Sequence, residues 1–349
     1  MKFYKILIII LIVFFKTETI FSENNLFNVN NIQLEKKDKI SQNALANKAI
    51  KMGFNQLIEK ILLKEDIKKL SDLNVLSIKK LVSYYQIAEI NNNEEETKEI
   101  VNFSVTFDKD KMHNLFYKKG ISYSEISDKE LYILPILIKD DEIFVFNNNY
   151  FYEKWNEVYR EDLIEFILPL ENIEIIQNIN IYRNNLIDLD LINLFKEYSG
   201  KSLALVLIEE RTRRNKKIYI KAKIQGKNIF RNLNIDKKNS VSENQNEEVI
   251  IKLKKELINL VKSKNLIDIR TPAFLSAKLD LSKSSNLVEL NSRIKKIDLI
   301  ENIYVQEFNK DYMNLRIKYL GKLDKIINQL KKENIDLKLI NDQWVIKSL

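Results

Sequence analysis

His113 is the only histidine among 349 residues, so any imidazole chemistry would have to run through it. An imidazole works as a general base when a carboxylate orients it. Asp108 and Asp110 precede it in a short helical stretch, Asp108 to Lys119. The five-residue separation from Asp108 does not put the two on one helical face, and no second catalytic group is identifiable. His113 is therefore expected to be a surface or satisfied side chain. With no cysteine in the chain, disulfides, thiolate zinc sites, iron-sulfur clusters and thiol nucleophiles drop out together. The five glycines, Gly53, Gly120, Gly200, Gly226 and Gly321, are isolated, which leaves neither a dinucleotide fingerprint nor a phosphate-cradling loop. A carboxylate-only hydrolase could draw on 49 acidic residues, but no pair stands out. No cofactor, no metal and no catalytic residue are expected.

The densest basic cluster is Arg211, Arg213 and Arg214 followed by Lys216 and Lys217, between two predicted strands. A hairpin tip with five cations could contact phosphate oxygens of lipid headgroups or of a polyanion. Its other reading is a strand end whose charges discourage edge pairing, with Glu209 and Glu210 beside it. The aromatic stretch Tyr150, Phe151, Tyr152, Trp155 and Tyr159 would align Phe151, Trp155 and Tyr159 on one side of a helix, a pattern read here as core packing. The net charge of +8 invites a nucleic-acid reading. However, 48 lysines against 9 arginines, with 41 asparagines and 8 alanines, follow from AT-rich codons. A phosphate-gripping surface would concentrate arginine forks on one face. Nucleic acid is therefore not an expected partner.

The start of the chain sets an address. Lys2 and Lys5 precede ten apolar residues, Ile6 to Phe15, followed by Lys16 and a polar stretch. A membrane-spanning helix needs about 20 apolar residues, so this run has the length of a signal-peptide core. Ser22 offers a small residue before a cut that would leave Glu23 as the mature start, the alternative being an uncleaved anchor. The mature chain is expected to be soluble and periplasmic.

Hydrophobic periodicity then divides the chain. With 45% apolar and 30% charged residues it reads as a folded α+β or α/β protein of several domains. They are a signal peptide over 1–22, an N-terminal αβ domain over 23–125, a central α/β domain over 126–270 and a C-terminal ferredoxin-like domain over 271–349. In the first domain, Ala46, Ile50, Phe54, Leu57, Ile58 and Ile61 stripe a helix over Ser41 to Leu62, with Ser41 as its cap. A second helical stretch covers Asp66 to Val82, and Val82 to Ile90 and Val101 to Phe107 read as paired strands. The central domain opens with the apolar run Leu131 to Ile138, continues with Phe166 to Leu170, a helix near Leu186 to Tyr198 and the run Leu203 to Ile208, and then a strand over Ile218 to Ile224. Buried runs separated by helices imply a sheet covered on both faces. The last domain reads β-α-β-β-α-β, with helix anchors Leu290 and Leu330, and Trp344 and Ile346 adding a short strand after a turn at Asn341 and Asp342. A distant repeat of this order at the two ends of the chain has no residue-level support.

Taken in order, the N-terminal signal, ALANKAIKMGFNQLIEKIL, ILPILI, FILPLENIEII, KEYSGKSLALVLI and the closing WVI resemble an exported proteobacterial family of uncharacterised periplasmic proteins, a domain of unknown function. The resemblance covers nearly the whole mature chain. It implies no catalytic residues, because the family's motifs, the steps Pro169-Leu170-Glu171 and Tyr198-Ser199-Gly200, are structural. The middle domain is similar to α/β domains of envelope-complex proteins of the Tol and curli-secretion kind. The expected function is a non-enzymatic binding or assembly module of the cell envelope, with another envelope protein as partner. A membrane surface contacted through the 211–217 hairpin is the weaker partner. The alternatives are a carboxylate-dependent hydrolase and a binder of anionic lipid or polyanion.

Overall fold

The computed structural model describes residues 26–36, 41–90, 100–126, 129–158, 163–210, 215–236, 245–281 and 287–348. The signal segment with Ser22 and Glu23, the glutamates at 94–96, Tyr159 and the arginines 211, 213 and 214 lie outside these residues. The architecture is α+β, with helices and strands organised in several sheets. By compactness the chain divides into two units, one formed by residues 1–123 with 267–349 and the other by 124–266. Among the described residues no helix is long and apolar enough to cross a membrane.

The first unit begins with β1 (Asn28–Glu35) and the long helix α1 (Gln42–Ile61), followed by α2 (Lys64–Ile67) and α3 (Val75–Lys79). Then come β2 (Val82–Ile90), β3 (Ile100–Phe107), α4 (Lys109–Lys119) and the two-residue strand β4 (Tyr123–Ser124). Ser41 caps α1 by accepting from the Ala44 amide at 3.3 Å. Its apolar stripe is buried as the periodicity requires, from Leu45 and Ala46 to Ile58 and Ile61. Gly53 sets how closely α1 approaches the sheet, because a Cβ there would lie 2.8 Å from Ile32 Cδ1 and 3.5 Å from Val105 Cβ. The helix expected over 66–82 is broken instead. The Ser71 hydroxyl turns back onto the Lys68 carbonyl at 2.8 Å, and the Asn74 side chain accepts from Ser77 N at 2.9 Å to start α3 anew. Short polar side chains that bond the local backbone compete with helix continuation in this way. The three strands pair in the order β1-β3-β2, both pairings antiparallel.

The second unit starts with β5 (Glu130–Lys139) and β6 (Glu142–Phe144), then α5 (Tyr150–Lys154), β7 (Glu165–Ile167), α6 (Ile173–Ile181) and α7 (Leu191–Leu194). It closes with β8 (Ser202–Glu210), β9 (Asn215–Ile224), β10 (Lys227–Asp236), α8 (Gln245–Lys264) and the short strand β11 (Leu266–Ile267). The sheet order is β10-β9-β8-β5-β6, with β7 also on β5. β5 and β8 run parallel in register from Leu131↔Ser202 to Lys139↔Glu210. Both are apolar at nearly every position because both faces are covered. Leu131, Ile133, Val206 and Ile208 pack in the cluster of α8, Phe151 and Trp155, while Leu134, Ile136, Leu205 and Leu207 pack in that of α6 and α7. Phe151 and Trp155 are fully buried, as core packing demands. β5 leaves a gap between the short strands β7 and β6. Asn149 fills it, with Nδ2 donating to the carbonyls of Pro135 and Val145, each at 2.8 Å, while Oδ1 caps α5.

Three differences from the sequence reading occur in this unit. The helix expected near Leu186 to Tyr198 is a series of single turns, since Asp190 accepts from Ile192 N at 3.1 Å and restarts the chain at α7. A helix instead forms at α6, capped by Asn172 on Glu174 N at 2.7 Å. The run Phe166 to Leu170 yields only the three-residue β7, because Pro169 has no amide to continue a ladder.

The chain then returns to the first unit. There it forms β12 (Ala273–Asp280), α9 (Leu287–Lys295), β13 (Ile300–Phe308), β14 (Tyr312–Tyr319), α10 (Leu323–Lys332), β15 (Ile335–Ile340) and β16 (Gln343–Ser348). This is the ferredoxin-like element order with one strand added. The sheet order is β13-β14-β12-β16-β15, so the added strand stands between β12 and β15 rather than at the edge. Asn341 and Asp342, both at positive φ (47° and 60°), make the tight turn that folds β16 back. β16 then runs parallel to β12, with Ala277 opposite Trp344, and Ile346 is fully buried while Leu339 of β15 stays exposed. In both parts of the unit the first strand of a β-α-β-β sequence pairs antiparallel with the third and the third with the second. One hydrophobic cluster contains Phe54 and Phe103 together with Leu290 and Leu330, so the segments 23–125 and 271–349 share a core.

Candidate functional site

His113 is neither on the surface nor satisfied. It sits on α4 with its side chain buried, stacked on Tyr123 at 5.3 Å and meeting the edge of Phe27 at 5.6 Å, and its Nε2 has no hydrogen-bond partner among the described residues. Asp108, the carboxylate weighed for orienting it, is instead the helix cap and accepts from Lys111 N at 3.0 Å. Burial, with the neighbouring charge of Lys109 adding to it, lowers the imidazole pKa to about 4. A neutral, enclosed ring without a carboxylate partner has no basis for general-base work. Its consequence is for stability. The unfolded state takes up a proton as pH falls below about 6.5 and the folded state only near 4, so native stability should decline by about 3 kcal/mol across that window. Urea melts between pH 7 and pH 4 check this: His113→Gln should remove that part of the slope, and an unchanged slope would contradict the assignment.

Of the basic cluster, Lys216 and Lys217 are described, and both belong to strand β9 rather than to a hairpin tip. They stand opposite Glu210 and Glu209 across the β8–β9 ladder. Lys216 is buried, 3.4 Å from Glu210 Oε2 and 6.0 Å from the Phe151 ring centroid, so its charge is already met. Lys217 lies 4.7 Å from the ring centroid of Tyr219. Strand alternation turns Lys216 inward, which spacing within a presumed loop could not reveal. Among the described residues no group of three or more His, Cys, Asp or Glu side chains is placed to hold a metal ion.

The most concentrated surface chemistry is on the open face of the five-stranded sheet. Along β12 the residues Leu275, Ala277 and Leu279 are buried with α9 and α10, which leaves Phe274, Ser276 and Lys278 on the other face. Along β14, Met313, Leu315 and Ile317 are buried, leaving Tyr312, Asn314, Arg316 and Lys318. The antiparallel register sets Ser276 opposite Arg316 and Lys278 opposite Asn314. The diagonal neighbours then meet. The Arg316 guanidinium lies 4.4 Å from the Phe274 ring centroid, and the Lys278 ammonium 4.2 Å from that of Tyr312. On the adjoining strand Tyr304 stands opposite Arg316.

Glu307 fixes the arrangement. Its carboxylate accepts from Tyr312 Oη and Asn314 Nδ2, each at 2.8 Å, and this bond to Glu307 pushes the Tyr312 phenol above its ordinary range. Lys318 is paired with Glu301 at 2.7 Å. Arg316 and Lys278, by contrast, have no carboxylate partner among the described residues. Phe274 is 48% exposed and Tyr304 44%, so the face is open to a partner. The sequence reading missed it because each strand was read for its inward residues. The available signal was the outward set Tyr312-x-Asn314-x-Arg316-x-Lys318, which gains meaning only when the register brings Phe274 and Lys278 beside it.

Compared with known proteins, the chain matches no family model, no curated protein and no solved structure.

Proposed function

We propose that the protein is a non-enzymatic, exported binding or assembly module of the cell envelope. Its mature form begins at Glu23, it acts in the periplasm, and it belongs with the family of uncharacterised periplasmic proteins that it resembles. Its partner is another envelope protein with an acidic surface, held by the open face of β13-β14-β12. The observation that carries this reading is the pair of cations, Arg316 and Lys278, seated on Phe274 and Tyr312 with no carboxylate partner among the described residues. Aromatic side chains and arginine are the residues that dominate protein interfaces, and a desolvated arginine gains most from a partner's carboxylate.

Affinity for a partner isolated from the envelope fraction should fall by at least about tenfold when Phe274 and Arg316 are both changed to Ala, the loss of one interface hot spot. It should also weaken as salt is raised. Lys331→Ala, on the helix at the far side of the sheet, should leave affinity unchanged. Equal affinity for the double variant and the wild type would overturn the reading.

A further inference from the structure

The second unit contains a cavity of about 300 Å³ at the end of its sheet where β8 begins and the β9–β10 turn lies. The turn entering β8 supplies Ser199, Gly200, Lys201 and Ser202, and the end of β9 supplies Lys223, with Gln225 and Gly226 beyond it. Val261 and Asn265 close it from the end of α8. Among the described residues the ionisable groups lining it are two lysines and no carboxylate.

Those two lysines differ. Lys201 is engaged by Glu130 at 2.7 Å, and its hydrogen bond holds the Glu130 carboxyl below the usual carboxylate range. Lys223 is half-buried, and its side chain has no hydrogen bond or ion pair among the described residues. The Val261 carbonyl accepts from Asn265 Nδ2 at 2.9 Å. Asn265 Oδ1 in turn holds the Gln225 side chain at 2.6 Å.

The turn Tyr198-Ser199-Gly200-Lys201 adds an independent observation. Its two ends have structural work: Tyr198 stacks on Tyr132 at 4.2 Å and Lys201 pairs with Glu130. Gly200 between them has none. A Cβ there would meet nothing within 4 Å, and its φ lies outside the left-handed range that calls for glycine. A glycine that neither packing nor backbone conformation needs, at the lip of a cavity, leaves room for something outside the fold to approach the backbone.

We propose that this cavity is a binding site for a small oxyanion, the carboxylate or phosphate group of a polar ligand, with Lys223 as its cation and the Ser199 and Ser202 hydroxyls and the backbone beside Gly200 as donors. An ammonium without a counter-ion among the described residues, beside hydroxyls and a backbone that Gly200 leaves uncovered, suits a group with several acceptor oxygens. The volume is at the small end of ligand pockets, which fits one head group and little more. The site belongs wholly to the second unit and does not depend on the function proposed for the first.

The test is titration of the full mature chain with inorganic phosphate and with acetate, each against chloride at matched ionic strength, followed by amide shifts at Gly200 and Gly226 and by thermal melting. Saturable shifts at these amides with phosphate or acetate are expected, and whichever anion saturates first identifies the group. Lys223→Met should weaken that binding at least about tenfold while leaving the anion-free melting temperature unchanged. Gly200→Val, which fills the lip without touching the core, should weaken it as well, so the result does not hang on one variant. No saturable shift with either anion, or binding that survives Lys223→Met, would overturn the proposal.

Discussion

Replacing Trp155 by alanine should destabilise the second unit by about 3 to 5 kcal/mol, the range for removing a fully buried large aromatic. Trp155 is fully enclosed, with its ring against the edge of Phe166 at 5.9 Å and the Lys254 ammonium 5.9 Å from its centroid. Its Nε1 has no hydrogen-bond partner among the described residues, so the loss is one of packing and of the void left behind. Lys254 anchors the same place by donating to the Val158 carbonyl at 2.7 Å. Urea unfolding followed by circular dichroism would measure the effect. Trp155→Phe should recover most of the lost stability, because it refills much of the space. Equal tolerance of Ala and Phe would place the ring outside the core.

The second large effect belongs to the other unit. Leu330 of α10 is fully buried in the cluster that also contains Ile326, Ile335 and Leu337, whereas Lys331 beside it is exposed. Leu330→Ala should cost about 2 to 5 kcal/mol, and Lys331→Ala less than about 0.5 kcal/mol. The contrast is a test of helical register, since a one-residue rotation would exchange the two outcomes. Because the core joins both ends of the chain, the loss from Leu330→Ala should also appear in probes placed on α1. A melt in which α1 keeps its wild-type midpoint would contradict the shared core.

Elements with a long, regular period were legible from the sequence. The α1 stripe, the strands around Phe103 and Ile317, and the β-α-β-β-α-β order at the end of the chain all follow from residues that alternate or recur at fixed spacing. What failed was decided by single polar side chains and by pairing. Asn74, Asn172 and Asp190 set where helices restart, and each needed only one hydrogen bond to a nearby amide to outweigh a weak helical preference. β10 was not assigned, because only Ile229 and Ile235 are buried in an edge strand that otherwise carries three Asn with Lys227, Arg231 and Asp236. The insertion of β16 between β12 and β15 depends on a turn and on relative burial, neither of which periodicity reports.

The candidate site was less legible than the fold for the same reason. Arg211 to Lys217 drew attention as a run along the chain, yet strand alternation places Lys216 inside. The residues on the open face are 42 positions apart in sequence, Phe274 and Arg316, and only the β12–β14 register brings them within 4.4 Å. His113 looked ordinary because its surroundings, Phe27 and Tyr123, lie on other elements.

The central claim is that the open face of β13-β14-β12 binds an envelope partner. Its most direct measurement places a photo-reactive residue at Ser276, between Phe274 and Lys278 on that face, and another at Lys331 on the opposite side of the sheet. Cells expressing each variant are irradiated, and adducts are identified by mass spectrometry from the periplasmic fraction. The account predicts a discrete cross-link to one envelope protein from position 276, lost when Arg316 and Lys278 are changed to Ala, and none from position 331. Equal labelling from both positions, or an adduct at 276 that persists without the two cations, would contradict it.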